Sequence, residues 1–350
     1  TVGLRTELDL LLPRAALLTA AVRVHRETFR PRDLLERETR LFDSRRHSGT
    51  AAVDLQLPLG DDRLQLNLGS QVTVDDDRRY SEPDLNPAAA RRRRDHLEIL
   101  WGRHLGARCR LFGSWSARGH LAWYQRGPSF FELFGDRGAV IGNTELTSEH
   151  GRSGDLGLTF QADPSTNGRV ELLEVTYYRS VVRDLIRFIQ NSQRVSRPYN
   201  IGRARIAGME SRLHLHPFPG VRVGGSYVYQ RATDRSPFSY HRGRDLPNAP
   251  EHVVGGHLRL DHGPAHASYE VERESRHYLD RANLRSVAAR LTQGAGIGLR
   301  IWSGAELSLE VRNLANHQAA DLWGYPLPGR AWFLSLRQDL NTQPKGGDTP

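Results

Sequence analysis

Between Arg63 and Val74 the chain reads RLQLNLGSQVTV, an alternation that admits few folds. Leu64, Leu66, Leu68, Val72 and Val74 fall on one face, with Ser70 the exception, while Arg63, Gln65, Asn67, Gln71 and Thr73 fall on the other. A period of two marks a β-strand lying between an apolar and a polar environment. The beat returns from end to end. Leu4, Leu8 and Leu10 alternate with Arg5, Glu7 and Asp9; Ala305, Leu307, Leu309 and Val311 with Glu306, Ser308, Glu310 and Arg312; and Trp332, Leu334 and Leu336 with Phe333, Ser335 and Arg337. Strands of soluble sandwiches are usually about five or six residues long, whereas membrane-spanning strands need about 9–11. Twelve residues at roughly 3.3 Å each, tilted about 45°, rise roughly 28 Å, close to the thickness of a hydrocarbon core.

The connections alternate too. Tight turns are expected at Pro13-Arg14, Pro58 to Asp62, Leu105 to Ala107, Asp163 to Gly168, His216 to Gly220, His262 to Pro264 and Ser303-Gly304, rich in Gly, Pro, Asp and Asn. Long polar stretches separate them: Pro31 to Arg46, Arg78 to Arg94, Gly127 to Glu149, Gln190 to Asn200, Thr233 to Pro250, Asp280 to Arg285 and Ala315 to Gly329. Short turns on one rim and long loops on the other are the pattern of an outer-membrane barrel. The breaks delimit about fifteen strands, from Gly3–Leu12 to Arg330–Leu340. An odd number with both end strands running toward the short-turn rim implies a barrel incomplete at the N-terminus, since bacterial single-chain barrels have even strand numbers.

Composition fits this architecture. No apolar run approaches the length of a membrane helix, and only 38% of residues are hydrophobic, which excludes an α-helical membrane protein but not a barrel with a polar lumen. No secretory signal can be read at Thr1, and no Pro/Gly/Ser linker divides the chain. The single cysteine, Cys109, forbids an internal disulfide. A net charge of +9 with Arg favoured over Lys would suit a soluble nucleic-acid-binding β protein, the alternative reading. The arginines are scattered over loops and polar strand faces without a recognition module, and Arg91 to Arg94 reads as a solvated loop. Nucleic acid is therefore not expected as a partner.

Gly127 to Leu158 reads GPSFFELFGDRGAVIGNTELTSEHGRSGDLGL, in which Pro128, Ser129, Phe130, Glu132, Leu133, Phe134, Gly135, Asn143, Leu146 and Glu149 follow one another in a recognisable order. This segment resembles the loop-and-strand signature of TonB-dependent outer-membrane receptors. NIGRARIAGME at Asn200 to Glu210 and GRDLPNAPEHVV at Gly243 to Val254 are similar to two later blocks of that family. LEVRNLANHQAADLWGYPLPGR, Leu309 to Arg330, is close to its last hairpin, with Asn313, Pro328, Gly329 and Arg330 in register. The resemblance covers Ser114 to Leu340 and implies an all-β, antiparallel transmembrane barrel of the 22-stranded, plugged type. On that reading residues 1–340 are a partial barrel, 341–350 a disordered tail that departs from the usual terminal aromatic residue, and the plug domain is absent from the chain.

The implied function is TonB-energised uptake of a scarce ligand such as a ferric siderophore or cobalamin, at the bacterial outer membrane. The implied partners are outer-membrane lipid and lipopolysaccharide, the TonB complex acting through a plug not present here, and a small metal chelate. Arg194, Arg197, Tyr199, His241, Arg242 and Arg244, loop residues beside the matched blocks, are the candidate ligand contacts, because cationic donors suit a carboxylate- or catecholate-rich chelate.

No enzyme is expected. A nucleophile elbow, a phosphate loop and a His-Glu-x-x-His are all missing from the sequence. The GAGIG of Gly294, Gly296 and Gly298 lacks dinucleotide spacing and reads as small residues under crowding neighbours. His214 and His216 share a strand face with no evident third ligand, so neither a metal site nor a cofactor is expected, and QRGP replaces the family's haem-type signature. Trp101, Trp115, Trp123, Tyr177, Tyr227, Tyr229, Tyr269, Trp302 and Trp332 suit interfacial girdles.

Overall fold

The computed structural model describes residues 1–29, 44–61, 63–80, 93–135, 140–162, 169–190, 195–237, 239–302, 304–318, 320–322 and 325–338. Arg194, the 163–168 turn, the run through Arg91 and Arg92, and the 341–350 tail lie outside them.

Fifteen strands form one sheet in which each pairs antiparallel with its sequence neighbours. They are β1 (Val2–Leu11), β2 (Leu17–Phe29), β3 (Ser44–Leu59), β4 (Leu64–Tyr80), β5 (Arg93–Arg110), β6 (Trp115–Arg126), β7 (Glu149–Gln161) and β8 (Val170–Gln190). There follow β9 (Ser196–Phe218), β10 (Val221–Asp234), β11 (His252–His262), β12 (Ala265–Glu274), β13 (Arg290–Trp302), β14 (Ala305–Arg312) and β15 (Ala331–Gln338). Among the described residues β1 pairs only with β2, and β15 only with β14.

Register follows the apolar beat. Val53, Leu55 and Leu57 of β3 stand opposite Ser70, Leu68 and Leu66 of β4, while Asp54 and Gln56 stand opposite Gly69 and Asn67. A slip of one residue would exchange the two faces, so the pattern specifies the pairing. The apolar face is open: Leu4 is 73% exposed, Leu156 66%, Ile297 61% and Leu334 73%. Trp101, Trp123, Tyr177, Trp302 and Trp332 are exposed with them. Among the described residues no second sheet covers these stripes, as the soluble reading requires; a wall facing hydrocarbon leaves them bare. Buried apolar residues gather in two small clusters at the long-loop rim, around Ile201 and around Leu133.

One expected turn does not form. β5 runs unbroken through Leu105 to Ala107, and the reversal comes at Leu111 to Ser114, with the Trp115 N–H donating to the Phe112 carbonyl at 3.0 Å. Gly113 supplies the left-handed residue, at φ 51°, that the turn requires, whereas Gly106 is not in that region. Two other bounds shift. β9 begins at Ser196, so Arg197 and Tyr199 lie in a strand rather than a loop. The Asp280 to Arg285 loop extends from Glu274 to Arg290 and contains a two-residue pairing of His277-Tyr278 with Ser286-Val287.

Candidate ligand-binding site

The loop from Gly127 to Ser148 is pinned to the wall by charge. Helix α1 (Phe130–Phe134) opens with a capping box, the Glu132 N–H donating to Ser129 Oγ at 3.3 Å and the Ser129 N–H to Glu132 Oε2 at 2.7 Å. Arg126, last residue of β6, donates to both Glu132 oxygens and to Glu149, first residue of β7. The other Glu149 oxygen accepts from the Ile186 N–H at 2.9 Å. Burial would raise the Glu132 carboxyl, but the bonds from Arg126 and Ser129 outweigh it and hold that group below the usual carboxylate range.

The loop's return is fixed as firmly. Asn143 donates to the Pro198 carbonyl at 3.0 Å and accepts from the Glu145 N–H at 3.1 Å. Asn200 accepts from the Thr147 N–H at 3.0 Å and donates to the Thr147 carbonyl at 2.9 Å and the Asp184 carbonyl at 2.7 Å. Beneath them Leu133, Leu146 and Ile186 pack with Phe130 and Phe134, and Phe134 stacks on Phe29 at 4.7 Å. Pro128, Ser129, Phe130, Glu132, Leu133, Asn143 and Glu149 therefore build a clamp. Asn313 does the same for the last hairpin, donating to the His317 and Pro328 carbonyls at 2.9 and 3.2 Å, and Asn316 accepts from the Arg330 N–H at 2.9 Å beside Gly329.

Arg46, Asp75 and Asp77 form a site that the motifs do not mark. Arg46 meets Asp77 through two nitrogens, at 2.6 and 2.7 Å, donates to the Pro128 carbonyl at 2.9 Å and lies 5.3 Å over the Phe130 ring. Asp75 is buried beside this pair, its Oδ2 3.9 Å from Arg46 Nε. The available signal was three aspartates, 75 to 77, following the uncharged alternation of Leu64 to Val74.

A second latch joins the loop after β10 to the loop after β12. Arg281 reaches Asp234 at 2.8 Å, and Asn283 and Asp245 exchange hydrogen bonds, each at 2.9 Å. The Asn248 N–H donates to the Tyr278 carbonyl at 2.8 Å. His241 sits against Tyr240, ring centroids 4.3 Å apart. Burial and then Arg281 hold its imidazole below the ordinary histidine value, against the pull of Asp234.

The candidate contacts occupy two places. Arg197 lies over the Tyr199 ring at 5.6 Å, both exposed at the start of β9. His241, Arg242 and Arg244 lie in the loop after β10, where Arg242 donates to the Ser236 and Pro237 carbonyls at 3.3 and 3.1 Å and Arg244 to that of Tyr240 at 3.4 Å. Among the described residues no hydrogen bond, ion pair or ring contact joins the two groups.

On the inner wall, rings lie flat over glycines of neighbouring strands. A Cβ on Gly69 would stand 2.1 Å from the His104 ring, one on Gly298 2.1 Å from His266, and one on Gly224 1.8 Å from His257. This accounts for Gly298 of the GAGIG run, and a Cβ on Gly296 would stand 2.9 Å from Ser268 Oγ, while Gly294 is uncrowded. His104 Nε2 is 2.9 Å from both Asp54 and Asn67. His214 pairs edge-on with His257 at 6.0 Å, and His216 reaches Glu171 at 3.3 Å. Among the described residues no three His, Cys, Asp or Glu side chains are grouped so as to hold a metal ion.

A neighbour-to-neighbour antiparallel sheet, apolar outside and polar within, with tight turns on one rim and clamped loops on the other, is the wall of an outer-membrane barrel. The sequence matches the family described as TonB dependent receptor-like, beta-barrel, over residues 22–314, and the chain belongs to that family. It is thereby placed in the bacterial outer membrane.

The fold is similar to that of the copper transporter OprC, at TM-score 0.76 and 18% identity, covering 96% of this chain and 55% of that one. The ferric yersiniabactin uptake receptor FyuA from Yersinia pestis gives 0.71 and 16%, covering 95% and 53%, and the siderophore receptor PiuA from Acinetobacter baumannii gives 0.71 and 13%, covering 96% and 53%. The chain spans about half the length of these proteins. No curated protein matches it.

Proposed function

We propose that this chain is the ligand-facing wall of a receptor that takes up an anionic metal chelate across the outer membrane, energised by TonB through a plug domain. The observation that carries the reading is the set of exposed cationic side chains at the long-loop rim: Arg242 and Arg244, in a loop fixed by the Arg281–Asp234 and Asn283–Asp245 contacts, and Arg197, beside the Pro198 carbonyl that accepts from Asn143. A carboxylate- or catecholate-bearing chelate matches such donors through charge-assisted bonds, and fixed loops reduce the ordering cost of binding. The solved neighbours are titled as copper, siderophore and ferric yersiniabactin receptors, which supports a metal-bearing cargo. Arg194 is retained as a contact on sequence grounds, beside Tyr199 and His241.

The test is competition binding to the receptor in outer-membrane vesicles, with ferric catecholate, ferric carboxylate and cobalamin probes. Arg242→Ala combined with Arg244→Ala is expected to weaken binding of the preferred ferric chelate by about 1.5–3 kcal/mol per lost charge-assisted bond, roughly ten- to a hundredfold each. Unchanged affinity for every anionic chelate, with cobalamin bound instead, would overturn the assignment.

A further inference from the structure

Two imidazoles of the inner wall stand side by side, and an aspartate holds each from behind. His104 of β5 and His120 of β6 have ring centroids 5.8 Å apart. Leu105 and Leu121, which follow them in sequence, are exposed on the outward face, so both rings face the lumen. The side chains remain open to solutes there, at 38% and 42% exposure.

The hydrogen bonds fix which nitrogen of each ring is free. His104 Nε2 is 2.9 Å from Asp54 Oδ2 and 2.9 Å from Asn67 Oδ1. Asn67 donates its amide N–H to the other Asp54 oxygen at 3.3 Å, so the atom it turns to His104 is an acceptor. With two acceptors before it, Nε2 carries the ring proton, and Nδ1 keeps its lone pair. His120 Nδ1 lies 3.5 Å from Asp155 Oδ2, which puts the proton on Nδ1 and the lone pair on Nε2. The Nε2 edge of that ring leans toward β5, since His120 Cδ2 lies 3.8 Å from where a Cβ on Gly106 would stand.

We propose that His104 and His120 form a lumenal site for one late first-row divalent metal ion, copper(II) most tightly, with water completing its coordination. An imidazole whose far nitrogen is held by a carboxylate is the arrangement that orients a metal ligand and raises its basicity, and both rings have it. An ion about 2.0–2.1 Å from one nitrogen of each ring lies roughly 3.2 Å from each ring centre, so the centres can stand at most roughly 6.4 Å apart. At 5.8 Å the two rings can share one ion, with an angle of about 130° between the ring centres at the metal. Nitrogen donors select zinc, nickel or copper over calcium and magnesium, and the affinity order among divalent ions puts copper first. The other close pair, His214 and His257, has centroids 6.0 Å apart, but among the described residues no carboxylate lies within ion-pair distance of either ring. Two protein donors, fewer than the four of a closed structural site, leave the ion exchangeable.

The receptor, purified from outer membranes without chelator, would be titrated with copper(II) alone and followed by electron paramagnetic resonance. The tightest ion is expected to show coupling to two imidazole nitrogens and to be displaced by zinc only in excess. His104→Gln and His120→Gln should each remove one nitrogen from the spectrum. Asp54→Asn should retain both nitrogens while weakening affinity by about tenfold, and His214→Gln should change neither. A spectrum unaltered by His104→Gln and His120→Gln, or altered equally by His214→Gln, overturns the site. Full affinity in Asp54→Asn overturns the part given to the carboxylate, and calcium competing as well as zinc overturns the choice of ion. Chelate binding at the rim is expected to be unaltered in His104→Gln, so this site and the uptake reading fail separately.

Discussion

Arg126 and Glu132 meet end to end, two guanidinium nitrogens 2.9 and 3.0 Å from the two carboxylate oxygens, while the remaining nitrogen of Arg126 engages Glu149 on the adjacent strand. One arginine thus ties together the end of β6, the helix of the loop and the beginning of β7. The arrangement explains why Glu132 and Glu149 stand where they do in the motif: both complete a charge pattern whose centre is the strand residue before Gly127.

Replacing Arg126 with alanine leaves two largely buried carboxylates without their partner. Such a loss costs about 1–3 kcal/mol, toward the lower end here because the arginine is 41% exposed. The loop is expected to open, so limited proteolysis between Gly127 and Ser148 accelerates by roughly tenfold. Because the folded Glu132 carboxyl is held below its usual value of 4.5, the clamp's contribution is complete above that pH and is lost as pH falls through the lower folded value. Protection unchanged by Arg126→Ala and by acid would show that Leu133 and Leu146 alone hold the loop.

Leu309 and Glu310 are neighbours on opposite faces of β14. Arginine at Leu309, on the outward apolar face, is expected to cost about 2–4 kcal/mol in reversible unfolding from vesicles. Arginine at Glu310 breaks an exposed pair with Arg312 and should cost under about 1 kcal/mol. Equal costs at the two positions would contradict the assignment of faces.

Much of this was legible before any coordinates, and unevenly so. Alternation such as Leu64 to Val74 fixes strand and face because the period of two is imposed by the backbone, and the fifteen-strand count survives the misplaced turn at Leu105 to Ala107. That turn was misread because a glycine in sequence does not reveal its φ: Gly106 stays in an unbroken strand, while Gly113 turns left-handed five residues before Arg118. The clamp residues from Pro128 to Glu149 were marked by their order. Arg46, Asp77, Asp234 and Arg281 were not, because ion pairs 31 and 47 residues apart depend on which strands and loops become neighbours. For the same reason Arg197 and Tyr199 could be named but not placed in β9.

The ring-over-glycine contacts of the inner wall predict a specific non-additivity. Alanine at Gly298 puts a Cβ where the His266 ring lies, so Gly298→Ala should displace the ring and cost about 1–3 kcal/mol. Once His266→Ala has removed the ring, the same substitution should cost under about 0.5 kcal/mol, giving a coupling above that value in a double-mutant cycle. Additive costs would mean the ring occupies another position.

The latch between the loops after β10 and β12 should loosen in acid. His241 is surrounded by Arg281 and Arg244, with Asp234 as the opposing charge, and burial is the largest influence holding its imidazole below 6.5. His277 in the partner loop is held down in the same sense, by burial first and then by Arg290, against Glu274. In the unfolded or opened state both rings protonate near 6.5, so the open state binds more protons below that value. Latch stability is therefore fully present above about 6.5 and declines as pH falls through it towards the lower folded values. The protection factors of amides in the 235–249 segment, exchange rates taken relative to unprotected peptide at the same pH, should be high at neutral pH and lower at pH about 5, with His241→Gln removing part of the change and His241→Gln with His277→Gln removing it. Acid-induced exposure that persists in the double variant would assign the loosening to Asp234 and its bond to Arg281 instead.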